Sequence, residues 1–304
     1  EEQEDGELAR AFHEDGFVSL GGSTYALKNE ELIRVRDAVM TRYEQYMALA
    51  KTRDIDLTKE ANSERIPGFY VRKGGRIDMQ LLNLVARNTP GGLPDERASG
   101  KDWVSDIKPI DATLLRDLEV HWKSVVDAIF EMAHDAKKPS ETDCVLEYVG
   151  CVLARPSDED QNWHLDGVHR NLSEHEPADR LNVFVPLVDI TEAIGGTEMK
   201  KCSQFHDNGS RGTAFNGYRD LESVTHYVSA GTPIIMDYRV WHRGRANTSS
   251  DTIRPLLYFK YSRRVSSATT LTKRGADPNS TAADECQTTK KKKKRVALMT
   301  VAKA

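Results

Sequence analysis

The sequence contains no run of about 20 apolar residues, the length that a helix needs to cross a membrane. Residues 1–5 are acidic or amide side chains, whereas a secretory signal peptide begins with a basic segment followed by an apolar one. With 38% hydrophobic and 30% charged residues, the composition is typical of a globular protein. We therefore expect a soluble protein that does not interact with a membrane.

Cysteine is also scarce. The chain has four cysteines, and no two of them form a CxxC pair. This spacing excludes a zinc knuckle and does not favour a disulfide framework. Isolated thiols are typical of reduced cysteines in an intracellular protein, so we expect a cytoplasmic location. The four are Cys144, Cys151, Cys202 and Cys286.

Positive charge is concentrated at the C-terminal end. From residue 271 onward the chain carries nine basic and three acidic residues, so this end has a charge of +6 and the remainder −10. An acidic body argues against nucleic acid as the main substrate. We predict a polar, Lys-rich, disordered tail over residues 268–304. The tail is either a solvated extension or a nuclear-localisation signal.

The pattern of apolar residues predicts helices first and strands afterwards. Helical spacing indicates a short helix near the start and longer helices over residues 29–47, with Asn29 as the cap, and residues 111–137. Short β-type runs separated by turn residues follow. This order predicts an α+β fold that is mainly β, with a closed or two-layered β unit. The predicted strands are 144–154, 162–166, 181–190, 233–241 and 255–261.

His164 and Asp166 are two residues apart in a predicted strand. Side chains alternate with a period of two along a strand, so an imidazole and a carboxylate would project from the same face, together with Asn162. His242, at the end of a distant predicted strand, would complete a 2-His-1-carboxylate set, which is typical of non-haem Fe(II) oxygenases. A single His-x-Asp pair is common by chance, so the prediction depends on the features that accompany it.

Arg254 follows His242 after a polar turn. Fe(II) bound by two neutral imidazoles and one carboxylate keeps about one positive charge by formal counting. A dianionic oxo-acid that chelates this ion leaves its far carboxylate in need of a cation. Arginine suits that position because it is always charged and can donate two parallel hydrogen bonds to a carboxylate.

Four segments together resemble the phytanoyl-CoA dioxygenase family of Fe(II)/2-oxoglutarate-dependent oxygenases. They are residues 12–18, residues 161–167, the Gly-Gly-Thr-Glu-Met segment 195–199, and the stretch from 242 to 254. The resemblance implies a double-stranded β-helix, or jelly roll, with supporting N-terminal helices. It also implies that residues 1–267 form the dioxygenase domain.

The resemblance further implies roles for individual residues. His164, Asp166 and His242 would bind Fe(II), and Arg254 would hold the C5 carboxylate of 2-oxoglutarate. Thr197 and Asn162 match positions that hydrogen-bond this cosubstrate in relatives, although Asn162 stands where glutamine is frequent. The spacing from His242 to Arg254 is one residue longer than is usual in the family.

A glycine-rich segment with several cations lies in the N-terminal half, between the two long predicted helices. Arg72, Lys73 and Arg76 would form a cationic rim over the pocket that receives an acidic substrate. In the alternative interpretation this segment is a solvated loop in which Arg76 and Asp78 pair with each other.

The predicted function is oxidation of a C–H bond by O2, with decarboxylation of 2-oxoglutarate to succinate. The outcome would be hydroxylation, desaturation or oxidative cyclisation of a small organic substrate, either neutral or anionic. Asp166 favours oxygenation over halogenation, which needs that ligand position for a halide. The alternatives are a protein-residue hydroxylase and a non-catalytic jelly roll that binds a metal or ligand. The sequence predicts neither the substrate's identity nor the oligomeric state.

Overall fold

Two antiparallel β-sheets form the centre of the protein in the computed structural model. The structure describes residues 2–22, 24–57, 59, 68–72, 75–84, 107, 109–134, 144–167, 176–205 and 218–263. All of them belong to one unit, Glu1–Arg264. The predicted tail over residues 268–304 lies outside the described residues, so the boundary at residue 267 stays a prediction.

Helices come before most of the strands, as the sequence pattern predicts. The helices are α1 (Glu2–Asp15), α2 (Asn29–Thr52), α3 (Ala112–Asp117) and α4 (Lys123–His134), and 3₁₀ turns occupy Leu118–His121 and Tyr218–Asp220. None of the helices in the described part of the chain is long and apolar enough to span a membrane. The strands are β1 (Phe17–Ser19), β2 (Phe69–Val71), β3 (Ile77–Asn83), β4 (Cys144–Ala154), β5 (Arg180–Pro186), β6 (Thr197–Lys200), β7 (Ser223–Thr225), β8 (Ile234–Asp237), β9 (His242–Gly244) and β10 (Arg254–Arg263).

The larger sheet has the strand order β1-β8-β5-β10-β4-β3-β2. Its two faces differ because side chains alternate along each strand. Along β10, Leu257 and Phe259 belong to the main core with the helices, whereas Leu256 and Tyr258 pack against a second, smaller core. The sheet is therefore covered by helices on one side and leaves its other side for the second sheet.

The second sheet has the order β7-β6-β9. All four residues of β6 are buried, since this short central strand lies against the larger sheet. Two packed antiparallel sheets with helices outside one of them are the predicted double-stranded β-helix, so the fold class is confirmed. The buried residues between the sheets are Phe17, Phe184, Met199, Ile234, Met236 and Val240.

The predicted helix over residues 111–137 is broken at Trp122. Trp122 leaves the helical conformation, with φ −141°, between the 3₁₀ turn and α4. Its indole is fully buried, donates a 2.9 Å hydrogen bond to the Tyr261 hydroxyl, and meets Phe259 edge to face at 4.8 Å. The break lets the indole reach the sheet, and helical periodicity cannot reveal it because apolar residues continue on the same side.

Helix α2 differs from the prediction at both ends. Asn29, the predicted cap, is the first helical residue, and Lys28 occupies the cap position. The Glu31 carboxylate satisfies the start of the helix by accepting a 2.8 Å hydrogen bond from the backbone N–H of Lys28. The helix then continues beyond residue 47 to Thr52.

The predicted strand over residues 233–241 is shorter in the structure and is followed by a turn. Strand β8 ends at Asp237, whose side chain accepts hydrogen bonds from the backbone N–H and the guanidinium of Arg239. The Asp237 carbonyl accepts from Val240 N–H, which closes a turn. The turn moves the chain into the second sheet, where His242 opens β9.

Candidate metal centre and cosubstrate pocket

His164 and His242 lie directly opposite each other on adjacent segments. Each donates a backbone hydrogen bond of 3.0 Å to the carbonyl of the other, and this pair is an isolated bridge. The prediction of a strand over residues 162–166 is therefore wrong, since His164 alone makes a β-type pairing there. The bridge holds the imidazole ring centroids 4.2 Å apart.

Asp166 completes a group of three possible metal ligands. Its Oδ1 lies 3.9 Å from His164 Nε2 and 3.7 Å from His242 Nε2. One ligand atom from each of the three residues lies within 4.8 Å of the others. Two bonds of about 2.1 Å allow donors to be at most about 4.2 Å apart, so one ion can bridge the carboxylate and either imidazole.

Backbone carbonyls set the orientation of both imidazoles. His164 Nδ1 lies 2.9 Å from the Asn162 carbonyl, and His242 Nδ1 lies 3.0 Å from the Val240 carbonyl. A carbonyl only accepts, so Nδ1 carries a proton in each ring, which leaves Nε2, on the side of Asp166, as the atom that can bind a metal. Burial, then the neighbouring His242, lower the pKa of His164, which favours the neutral ring that a metal needs.

Asn182 contacts the outer side of this group. Its amide nitrogen donates a 2.6 Å hydrogen bond to Asp166 Oδ2, the carboxylate oxygen that does not face the imidazoles. Asn182 lies in the middle of β5 and is only 3% exposed. The sequence analysis did not identify it, because an asparagine inside an apolar strand carries no local sign of its partner.

A cavity of about 590 Å³ extends from these residues between the two sheets. It brings together the predicted ligands, the predicted cosubstrate residues and several side chains that the sequence analysis did not connect with the site. Its wall is formed by Arg72, Arg76, Asp78, Val152, Gln161, Asn162, His164, Leu165, Asp166, Asn182, Phe184, Thr197, Tyr238, His242, Gly244, Arg254, Leu256 and Tyr258.

Arg254 lies in the cavity wall at the start of β10 and is 2% exposed. Its Nη1 donates to the carbonyls of Gly195 and, at 3.3 Å, Arg245. Its Nε has no hydrogen-bond partner among the described residues. The guanidinium is thus held by neutral carbonyls, and its charge is left without a direct carboxylate partner in the described part of the chain.

Arg76 is not on the rim of the pocket, where the sequence analysis placed it. It is 1% exposed, and its Nη2 donates to the carbonyls of Gly244 at 2.9 Å and Arg245 at 2.6 Å. Its Nε also lacks a partner among the described residues. The alternative pairing of Arg76 with Asp78 is wrong as well, since Asp78 pairs with Arg72.

Arg76 and Arg254 form one buried pair of cations, because the carbonyl of Arg245 accepts hydrogen bonds from both. Burial and then Arg76 lower the pKa of Arg254 to about 9, and burial lowers the pKa of Arg76 to about 10. These directions mean that the surroundings do not fully compensate the two positive charges. A bound anion would compensate them.

The remaining predicted cosubstrate residues also lie in the cavity wall. Thr197 is the first residue of β6, is buried, and pairs with Gly244 of β9. Asn162 is exposed, and its carbonyl is the one that orients His164. The structure brings both residues to the site.

Arg72 is the cation at the exposed part of the wall, with 56% of its side chain accessible. Both Nε, at 3.1 Å, and Nη2 donate to Asp78 Oδ2. The Tyr258 hydroxyl donates to Asp78 Oδ1 at 3.0 Å. Asp78 therefore neutralises Arg72 and fixes the tyrosine, a connection between β3 and β10 that local sequence does not show.

Gly150, opposite Tyr258 in β4, leaves room for the ring, which a Cβ at that position would overlap.

Comparisons with known proteins agree with this arrangement. The family model for phytanoyl-CoA dioxygenase (PhyH) matches residues 93–256, which is more than half of the chain. A comparison with curated proteins gives no match.

Several solved structures share the fold. EvdMO1 is 15% identical, with a TM-score of 0.51 over 85% of this chain and 49% of that chain. AviO1 from Streptomyces viridochromogenes Tue57 is 16% identical, with a TM-score of 0.50 over 85% of this chain and 94% of the other. The epimerase SnoN, in complex with Fe3+, alpha ketoglutarate and nogalamycin RO, is 17% identical, with a TM-score of 0.50 over 91% and 94%.

Proposed function

The chain belongs to the phytanoyl-CoA dioxygenase family and is an oxygenase of the Fe(II)/2-oxoglutarate-dependent type, and we propose that it oxidises a C–H bond of a small organic molecule. The observation that carries this proposal is the convergence of three metal ligands and two buried guanidinium groups on one cavity. Together, Fe(II), 2-oxoglutarate and O2 supply the oxidising power, with release of succinate and CO2.

In this proposal His164, Asp166 and His242 bind the metal ion. Their donor set, two neutral imidazoles and one carboxylate, is the facial triad that leaves positions open on Fe(II). The carbonyl partners of both Nδ1 atoms hold the rings ready, so little reorientation is needed when the ion enters.

Arg254 and Arg76 hold the far carboxylate of 2-oxoglutarate. Both guanidinium groups are buried in the cavity wall and donate to neutral acceptors, so a bound anion would compensate their charge. A charge-assisted hydrogen bond in a site shielded from water is stronger than one on the surface. Thr197 and Asn162 are the polar groups that we assign to the rest of the cosubstrate.

The substrate site is the part of the cavity beyond the metal ligands. Its wall combines apolar side chains, among them Leu165 and Leu256, with the Arg72–Asp78 pair. Because Asp78 already neutralises Arg72, this wall offers hydrogen bonds more than a free positive charge. We therefore favour a largely apolar substrate that carries one or two acceptor groups over a strongly anionic one.

The cavity volume favours a small molecule over a polypeptide. About 590 Å³ lies within the range of pockets for small ligands. One neighbour with this fold is solved with alpha ketoglutarate and a small molecule, nogalamycin RO, which supports the same arrangement here. Hydroxylation, desaturation and oxidative cyclisation are all compatible with such a site.

The test is 2-oxoglutarate binding and turnover. Under anaerobic conditions the Fe(II)-loaded protein should bind 2-oxoglutarate, and on exposure to O2 it should release succinate slowly without substrate and faster with the right small molecule. Asp166→Ala should remove the iron-dependent release. If the Fe(II) form does not bind 2-oxoglutarate, the proposal is wrong. Stimulation of succinate release by peptides but not by small molecules would instead identify a protein-residue hydroxylase.

A further inference from the structure

The Asn182 amide forms a hydrogen bond with one of the two carboxylate oxygens of Asp166. Asp166 Oδ1 faces His164 and His242, whereas Oδ2 accepts the 2.6 Å hydrogen bond from Asn182 Nδ2. Oδ2 is thus engaged on the side away from the two imidazoles. A carboxylate with one oxygen engaged in this way offers a metal ion its other oxygen.

Strand β5 fixes the position of this amide. Asn182 pairs with Lys260 of β10 on one side and with Met236 of β8 on the other, so its backbone is held in the interior of the larger sheet. Phe184, two residues further, also faces the cavity. The Asn182 side chain can therefore adjust only by rotation.

Because Asn182 is buried, its hydrogen bond to Asp166 sets the orientation of its amide. The side chain is 3% exposed, and its Oδ1 has no hydrogen-bond partner among the described residues. If Nδ2 turned away from Asp166, a donor would be buried without a partner in addition to the acceptor, at a cost of about 1–3 kcal/mol. The amide therefore keeps Nδ2 on Oδ2.

The denticity of the carboxylate matters to this reaction. A facial triad occupies three positions on a six-coordinate ion, 2-oxoglutarate takes two, and one remains for O2. A carboxylate that bound through both oxygens would take that last position.

We propose that Asn182 is a positioning residue that keeps Asp166 bound through one oxygen, so that the position for O2 stays open. The inference rests on the proposed function, but it concerns a residue and a role that the family resemblance does not supply. Hydrogen-bond partners of ligating carboxylates typically change metal affinity or activity by about 10- to 100-fold when they are replaced.

The experiment compares the full-length wild type with Asn182→Leu, which replaces the amide by an apolar group with the same branching, and with the smaller Asn182→Ala as a second variant. Crystals of each loaded with Co(II) give the two distances from the metal ion to the Asp166 oxygens. Gln80→Leu is the matched control, because it makes a similar amide-to-leucine change in β3 of the same sheet and outside the cavity wall.

We expect one short oxygen–metal distance in the wild type and in Gln80→Leu, and two in the Asn182 variants. Nitric oxide, which occupies the O2 position, should bind the Fe(II)/2-oxoglutarate form of the variants about 10- to 100-fold more weakly, measured by electron paramagnetic resonance. Their affinity for Fe(II) alone should not fall, since a second oxygen now contributes.

Two outcomes would overturn this inference. In the first, Asp166 binds through both oxygens in the wild type or through one in the variants. In the second, nitric oxide and Fe(II) affinities fall together, which indicates a merely structural residue. Both differ from failure of the proposed function, which is seen when the wild type binds metal but not 2-oxoglutarate.

Discussion

The affinity for 2-oxoglutarate of a variant at Arg76, one of the two buried cations, distinguishes two roles for this residue. If Arg76 holds the far carboxylate of 2-oxoglutarate, Arg76→Met should weaken cosubstrate binding while it leaves the metal ligands intact. If Arg76 only supports the backbone carbonyls of Gly244 and Arg245, cosubstrate binding should not change. Methionine is chosen because it fills most of the same buried space without charge.

The size of the effect follows from the contacts. Arg76 lies in the cavity wall and directs Nη2 to the carbonyls of Gly244 and Arg245, which do not neutralise its charge. One charge-assisted hydrogen bond is worth about 1.5–3 kcal/mol. We therefore expect the Kd for 2-oxoglutarate to rise by about 10- to 150-fold.

The assay is an anaerobic calorimetric titration of 2-oxoglutarate into the Fe(II)-loaded protein. Arg72→Met is the matched control, because it removes the same charge from the cavity wall where Asp78 already neutralises it. The control should change the Kd by less than about threefold, because Arg72 is more than half exposed and Asp78 already compensates its charge. A folded Arg76→Met protein with normal metal affinity and an unchanged Kd would refute the reasoning.

Further predictions concern the ligands, the cavity wall and the thiols. His242→Ala should abolish iron-dependent succinate release and lower Fe(II) affinity at least tenfold by calorimetry, because one of three ligands is lost; retained turnover would exclude the assigned triad. Gly150→Ala should lower stability by about 1–3 kcal/mol in urea unfolding, since the new Cβ overlaps the Tyr258 ring, and an unchanged midpoint would mean that the ring moves freely. Burial raises the pKa of Cys144 to about 12, so at pH 8 its thiolate is scarce and labelling should be slow until urea is added, as mass spectrometry of its peptide would record. Labelling at the rate of a free thiol in the native protein would contradict the raised pKa of Cys144.

Much of the fold could be predicted because it depends on local patterns. Helical spacing over residues 29–47 and the short run of β-type residues over residues 144–154 are local signals, which do not depend on which elements become neighbours. The break at Trp122 and the turn after Asp237 could not be predicted in this way. Both occur inside continuous apolar patterns, and each is stabilised by a contact that the pattern does not contain.

The sequence by itself determined which side chains are candidates for the metal. His164 and Asp166 are two residues apart, and short spacing limits how far two side chains can separate, whatever the rest of the chain does. The backbone bridge to His242 then brings the third donor beside them.

Only the tertiary structure decided how the charges around this centre are arranged. Arg76 donates to a carbonyl 168 residues away, and Asp78 pairs with Arg72 and Tyr258 in place of Arg76. Burial and hydrogen-bond partners depend on which strands become neighbours, and no local pattern encodes that choice. For the same reason the amide of Asn182, which lies inside an apolar strand, becomes the hydrogen-bond partner of Asp166.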